Sequence, residues 1–229
     1  MTSIKHALFM IAGMTFLTPC VHAQNKDLNS MSIDALRDRA NHDDKEADKI
    51  YKKKLNEKYK NKTVSELMKM ANQGDSEASF LVGSTYLLKL YQPQNAIEWF
   101  NKSSKDGNVN ALFAISNIYY YGWGVPKDIQ KVIELCKEAA NRGLPDGAFR
   151  LVEIYTSEKY GLQDYVEANH WLKIAVQEGA SQALDTLGLS YENGIGTLPD
   201  KEKAKYYYKQ ACSKQIQSGC EDYDRLNKS

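Results

Sequence analysis

Apolar residues recur along the chain in alternating helical runs separated by glycine turns, and the clearest instance lies between Ala111 and Gly147. In its first run Ala111, Ile115 and Tyr119 fall four apart on one face; in its second Val132, Leu135, Cys136 and Ala139 share a face. Spacing of three and four is that of an amphipathic α-helix. Gly122-Trp123-Gly124 separates the two runs and Gly143 closes the second, so the stretch reads as one helical hairpin. A lone hairpin leaves its apolar faces in water and needs neighbours of the same kind on either side.

Those neighbours are present. The small residue opening each first helix falls at Ala78, Ala111, Gly147, Ala183 and Gly219, at steps of 33, 36, 36 and 36. Eight residues after the first four comes a tyrosine (Tyr86, Tyr119, Tyr155, Tyr191), two turns on and so on the same face, where core packing is expected. Asp128, Asp164 and Asp200 are placed to cap the second helices, and Gly107, Gly143 and Gly179 to end them. Two units break the glycine turn: the first has Leu90-Tyr91-Gln92-Pro93, and the Gly147 unit keeps only Gly161. Upstream, residues 32–41 match 63–72 in register, each opening with a hydroxyl residue suited to N-capping. The expected organisation is a flexible lead-in over 24–31, degenerate N-terminal repeats acting as a cap over 32–77, and a regular solenoid over 78–229.

The order of a small residue, Leu187-Gly188-Leu189-Ser190-Tyr191, a Gly-x-Gly turn, Asp, Lys-Ala, an aromatic, Ala-Ala and Gly resembles the Sel-one-like repeat (SLR), a relative of the tetratricopeptide repeat. The resemblance implies an all-α protein, a right-handed α/α superhelical solenoid of helix-turn-helix repeats used for protein–protein interaction. Ser116 and Val152 stand where the pattern prefers glycine, which predicts locally looser packing.

Residues 1–23 carry Lys5, an apolar run over 7–17, then Pro19, Cys20 and Val21-His22-Ala23. This is the layout of a cleavable signal peptide cut after Ala23, and it predicts export to a bacterial periplasm. Anchoring as a lipoprotein through Cys20 is not expected, because proline just before the cysteine fits a lipobox poorly. Removing the leader takes away Lys5 and no acid, so the 30 Lys plus Arg become 29 against 29 Asp plus Glu. That balance argues against nucleic acid as a partner. No later apolar run is long enough for stable membrane insertion. One stretch is uneven: residues 45–62 hold eight lysines and three acids, which reads as a solvated helix face ahead of an anionic-surface contact.

Cys212 and Cys220 align with Ala140 and Ala148 of an earlier unit, at the end of one helix and the start of the next. A bond between them across the short turn is geometrically reasonable and resembles the staple of the cysteine-rich secreted SLR branch. Cys136 aligns with Phe100, Leu172 and Tyr208 and reads as a core residue without a partner.

No catalytic residues, metal site or cofactor are expected. The mature chain has only His42 and His170, in different repeats, too few for a histidine-rich metal site. Members of the cysteine-rich branch carry β-lactamase labels, but no mature serine here has a lysine three residues on. The positive case is for binding. If Ala111, Ile115 and Tyr119 face the core, then Phe113, Asn117, Tyr120 and Tyr121 point away, as do Phe149, Arg150 and Glu153 in the next unit, with Trp123 on the turn. Tyr, Trp and Arg are the residue types that anchor interfaces; Phe113 and Phe149 equally suit packing against the neighbouring repeat. The expected function is a periplasmic module that holds a protein partner in its concave groove, as an immunity protein neutralising a secreted toxin. The alternatives are an adaptor in envelope assembly or signalling, and the β-lactamase-like or penicillin-binding activity carried by the branch's label.

Overall fold

A computed structural model describes residues 27–228. The leader expected over 1–23, Cys20 within it, and residues 24–26 lie outside the described residues. Leu28–Ser30 form a 3₁₀ turn capped by the Asp27 side chain. From residue 32 the described chain runs α1 (Ile33–Ala40), α2 (Lys45–Tyr59), α3 (Val64–Asn72), α4 (Ser76–Leu88), α5 (Pro93–Lys105), α6 (Asn110–Tyr121) and α7 (Ile129–Asn141). It continues through α8 (Pro145–Thr156), a 3₁₀ turn at Glu158–Tyr160, α9 (Tyr165–Gln177), α10 (Gln182–Asn193), α11 (Lys201–Ser213) and α12 (Gln217–Lys228). No strand occurs among the described residues, and no helix among them is long and apolar enough to cross a membrane. The chain is an all-α helical repeat solenoid.

Helices α4 with α5, α6 with α7, α8 with α9 and α10 with α11 pack as hairpins, and each second helix packs on the next first helix. Local chemistry sets the ends. Asp128, Asp164 and Asp200 accept from backbone N–H groups in the first turns of α7, α9 and α11, and Gly122 closes α6 in the left-handed conformation at φ +72°. The small positions sit where helices approach most closely: a Cβ on Gly147 would stand 2.6 Å from the Cys136 carbonyl oxygen. Tyr86, Tyr119 and Tyr155 are half-buried and Tyr191 is buried.

Within each hairpin, residue sizes are matched across the interface. Gly83 faces the Phe100 ring and Gly188 the Tyr208 ring, where an added Cβ would meet ring atoms at 2.8 and 2.5 Å. At the same positions in the other units the side chains are more even in size. Ser116 meets Cys136, and Val152 packs in the core cluster that contains Leu172. At these departures from glycine the larger residue on the first helix is accompanied by a smaller one on the second, Cys136 and Leu172 standing where the glycine units have Phe100 and Tyr208. Cys136 is a buried free thiol, pushed up to about 11 by burial. Cys212 and Cys220 are joined across the α11–α12 turn.

The N-terminal hairpin differs from a stacked repeat. Helices α1 and α2 pack on each other, but α1 and the loop after it meet the turns that join second helices to the next first helices, from the α3–α4 turn to the α9–α10 turn. Arg37 donates to Glu77 at 2.8 Å, to Ser76 Oγ at 3.4 Å and to the Gly107 carbonyl at 3.2 Å. Farther along, Asn41 donates to Asn110 at 3.0 Å, His42 Nε2 lies 3.1 Å from Glu178, and Asp43 accepts from the Ser181 hydroxyl at 3.0 Å. His42 also packs over Gly143 and Gly179. The physical reason is Arg37, which is 2% exposed: a charge that deeply buried needs acceptors around it, and beside Asp34 of its own helix the turns supply the Glu77 carboxylate and the Gly107 carbonyl.

Candidate functional site

The sequence places Asn117, Tyr120 and Tyr121 on α6 and Arg150 and Glu153 on α8; the structure brings these side chains together on the face of the first helices. Arg150 Nη2 donates to Asn117 Oδ1 and Nη1 to Glu153 Oε2, each at 3.1 Å. The Tyr120 hydroxyl donates to Glu153 Oε1 in a short hydrogen bond and accepts from the Tyr160 hydroxyl at 3.0 Å. The guanidinium carbon of Arg150 lies 4.0 Å from the centroid of the Tyr120 ring and 5.6 Å from that of Phe113. Burial and the Glu153 carboxylate together push the Tyr120 hydroxyl well above its ordinary value, so it remains a donor.

Arg150 thus gives one hydrogen bond from each terminal nitrogen within the cluster and has a ring on one side, with only 12% of its side chain exposed. It organises the cluster instead of reaching outward. The outward elements are Tyr121 and Trp123, whose rings stack at 4.9 Å with an interplanar angle of 19° and remain 48% and 45% exposed. Phe113 and Phe149 are half-buried against the neighbouring core clusters, which is the packing role.

Several residues at this place were not read from the sequence. Tyr160 joins the hydroxyl chain and Lys159 Nζ lies 5.1 Å from its ring centroid. On the other side Trp123, Leu87, Leu88, Tyr91 and Pro93 line an apolar cleft of about 540 Å³. Leu88 and Tyr91 are 65% and 82% exposed, and Tyr91 sits at φ +55°, a conformation an ordinary side chain seldom adopts. A signal for them existed: Tyr91 and Tyr160 lie in the two interhelix loops that break the glycine pattern, and these flank the Trp123 loop on either side. Large exposed apolar residues gathered in one place mark an interaction surface.

The Sel1 repeat pattern matches residues 77–108, 109–144, 153–179 and 181–215. It passes over 145–152, the part of α8 that holds Arg150. The chain is 27% identical over 156 residues to the Sel1-repeat-containing protein YjcO of Escherichia coli (strain K12), covering 64% of this chain and 65% of YjcO. It is 26% identical over 146 residues to protein NMB1327 of Neisseria meningitidis serogroup B, covering 62% of this chain and 30% of that protein. A solved structure, that of a Sel1 repeat protein from Oxalobacter formigenes, is 27% identical with a TM-score of 0.59 over 71% of this chain and 48% of that one. In each case the match spans less than two-thirds of the relative's length. Sel1 repeats are protein-interaction modules, and with four matched repeats over more than half its length and the alternating helices to go with them, the chain belongs to the Sel1 repeat family.

Proposed function

We propose that this protein binds a partner polypeptide on the face of its first helices, with Tyr121 and Trp123 as the anchors. The observation that carries the reading is the Tyr121–Trp123 stack, held outward beside an apolar cleft and backed by the Arg150 network. Rings that are already ordered lose little freedom on binding, and stacked aromatics at the centre of a patch are the usual carriers of interface energy. In the finer reading the chain is exported and the partner is a toxin acting in the periplasm, which the chain neutralises by covering its surface. The expected leader and the absence of a catalytic constellation in the sequence support that reading over an enzyme.

The test is capture of partners from a periplasmic extract by wild type and by a Tyr121→Ala, Trp123→Ala variant. Both residues are about half exposed, so the variant keeps its helicity. One dominant protein lost in the variant supports the surface; equal recovery refutes it. Deleting the gene and challenging the cells with siblings then separates toxin neutralisation, which predicts sensitivity, from adaptor work, which does not.

A further inference from the structure

The lysine-rich stretch 45–62 ends beside α4, and its placement there says what the partner should be made of. Leu55 and Tyr59 of α2, Leu67 of α3, and Leu81 and Leu88 of α4 floor a groove of about 460 Å³. Lys60, Lys62 and Lys89 stand on its rim, and no Asp or Glu lines it. Among the described residues Lys62 meets Glu66 at 3.4 Å in an exposed contact, whereas no carboxylate lies within ion-pair distance of Lys60 or Lys89. Leu88 lines this groove and also the cleft under Trp123. The two clefts therefore adjoin at Leu88 and give a track with lysines at one end and Trp123 at the other.

We infer that this track receives an acidic polypeptide segment with apolar residues along one face, its carboxylates meeting Lys60, Lys62 and Lys89 and its apolar residues running over Leu88 towards Trp123. The inference rests on the reading that this face binds a protein, and it names that protein's chemistry. Charge complementarity decides the sign: a basic segment would bring like charges together over an apolar floor, where they are poorly screened. Extent decides the class, because a small amphiphile would fill one of the two clefts and only a chain spans both. An amphipathic helix or an extended segment with alternate apolar residues would each supply such a face.

The experiment uses the purified protein and two synthetic peptides of about 16 residues with an identical Leu/Ile stripe, one flanked by Glu and the other by Lys. Binding is followed by fluorescence anisotropy for wild type and for a Lys60→Glu, Lys62→Glu, Lys89→Glu variant whose circular dichroism is unchanged. The acidic peptide is expected to bind at least about tenfold more tightly than the basic one, and the variant to invert that preference. Raising salt from about 50 to about 300 mM should weaken the acidic complex several-fold. Equal affinity for both peptides, an unchanged preference in the variant, or binding to phosphatidylglycerol vesicles with neither peptide bound overturns the inference. If the lysine variant still captures the natural partner while Tyr121→Ala, Trp123→Ala does not, the acidic-segment inference fails and the protein-binding reading stands.

Discussion

The Arg150 guanidinium carbon lies 4.0 Å from the centroid of the Tyr120 ring, while the hydroxyl of that same ring donates to Glu153, which also accepts from Arg150. One arginine on α8 thereby fixes an aromatic residue on α6 at both its face and its tip. Replacing Arg150 with Ala should cost roughly 2–3 kcal/mol, from the lost charged hydrogen bonds and ring contact together. Arg150→Lys should recover little, since an ammonium cannot serve Asn117 and Glu153 while lying on the ring. Urea unfolding gives the stability, and near-ultraviolet circular dichroism reads whether the Tyr121–Trp123 stack loses its order. A lysine variant as stable as wild type would count against the geometry.

The pairing of Gly188 with Tyr208 makes a prediction whose sign is informative. Alanine at position 188 gains about 1 kcal/mol of helix propensity over glycine. Its Cβ would also sit 2.5 Å from the Tyr208 ring, an overpacking that costs roughly 1–3 kcal/mol. Gly188→Ala should therefore be net destabilising in the natural chain and stabilising in a Tyr208→Leu background. A double-mutant cycle by thermal or urea unfolding measures the coupling, and simple additivity of the two changes would contradict the size matching.

Arg37 and Glu77 test the N-terminal hairpin. Both are nearly inaccessible, and Tyr51 is the other side chain that donates to Glu77, at 3.0 Å. Arg37→Ala leaves a buried carboxylate without its cation and should cost about 3–5 kcal/mol. The double change Arg37→Met, Glu77→Leu should cost less than that single change, because it removes the stranded charge. Urea midpoints for the three proteins decide the matter.

Acid should loosen α12 first. Glu192 accepts from Arg225 at 2.6 and 2.7 Å and from the Tyr208 hydroxyl at 2.8 Å, and the Arg225 contact holds its carboxyl below the usual carboxylate range. A carboxyl whose value is lower folded than unfolded adds stability above the unfolded value, and that stability is lost as pH falls through the folded one. Hydrogen exchange over 217–228, taken relative to the intrinsic rate at each pH, should accelerate below about pH 4 in wild type. In Glu192→Gln it should be faster at neutral pH and change less on acidification.

Reducing the Cys212–Cys220 bond should act on the same end of the chain. Opening so small a loop is worth roughly 2–3 kcal/mol. Exchange in α12 should rise on reduction while that in α4–α9 stays as it was, and a uniform rise across the chain would argue that the bond does more than hold the last helix.

The repeat itself was legible because it is a local property. The small residue, the tyrosine two turns on, the capping aspartate and the closing glycine act within one hairpin, and their spacing gives helix ends and faces without knowledge of the whole chain. The convergence of Asn117, Tyr120, Arg150 and Glu153 was partly legible for the same reason, since a regular helix shows which positions point away from Ala111 and Gly147. Which of them would bond to which depended on how α8 lies against α6, and that offset joins 117 to 150 and 120 to 153. The tertiary structure also decided that Arg150 supports the cluster and does not project from it, that Tyr160 and Tyr91 belong beside it, and that α1 and the loop after it meet the row of turns. In each case the cause is a contact between residues far apart in the chain, such as Arg37 with Gly107 or Asp43 with Ser181, and hydrophobic periodicity carries no record of such pairs.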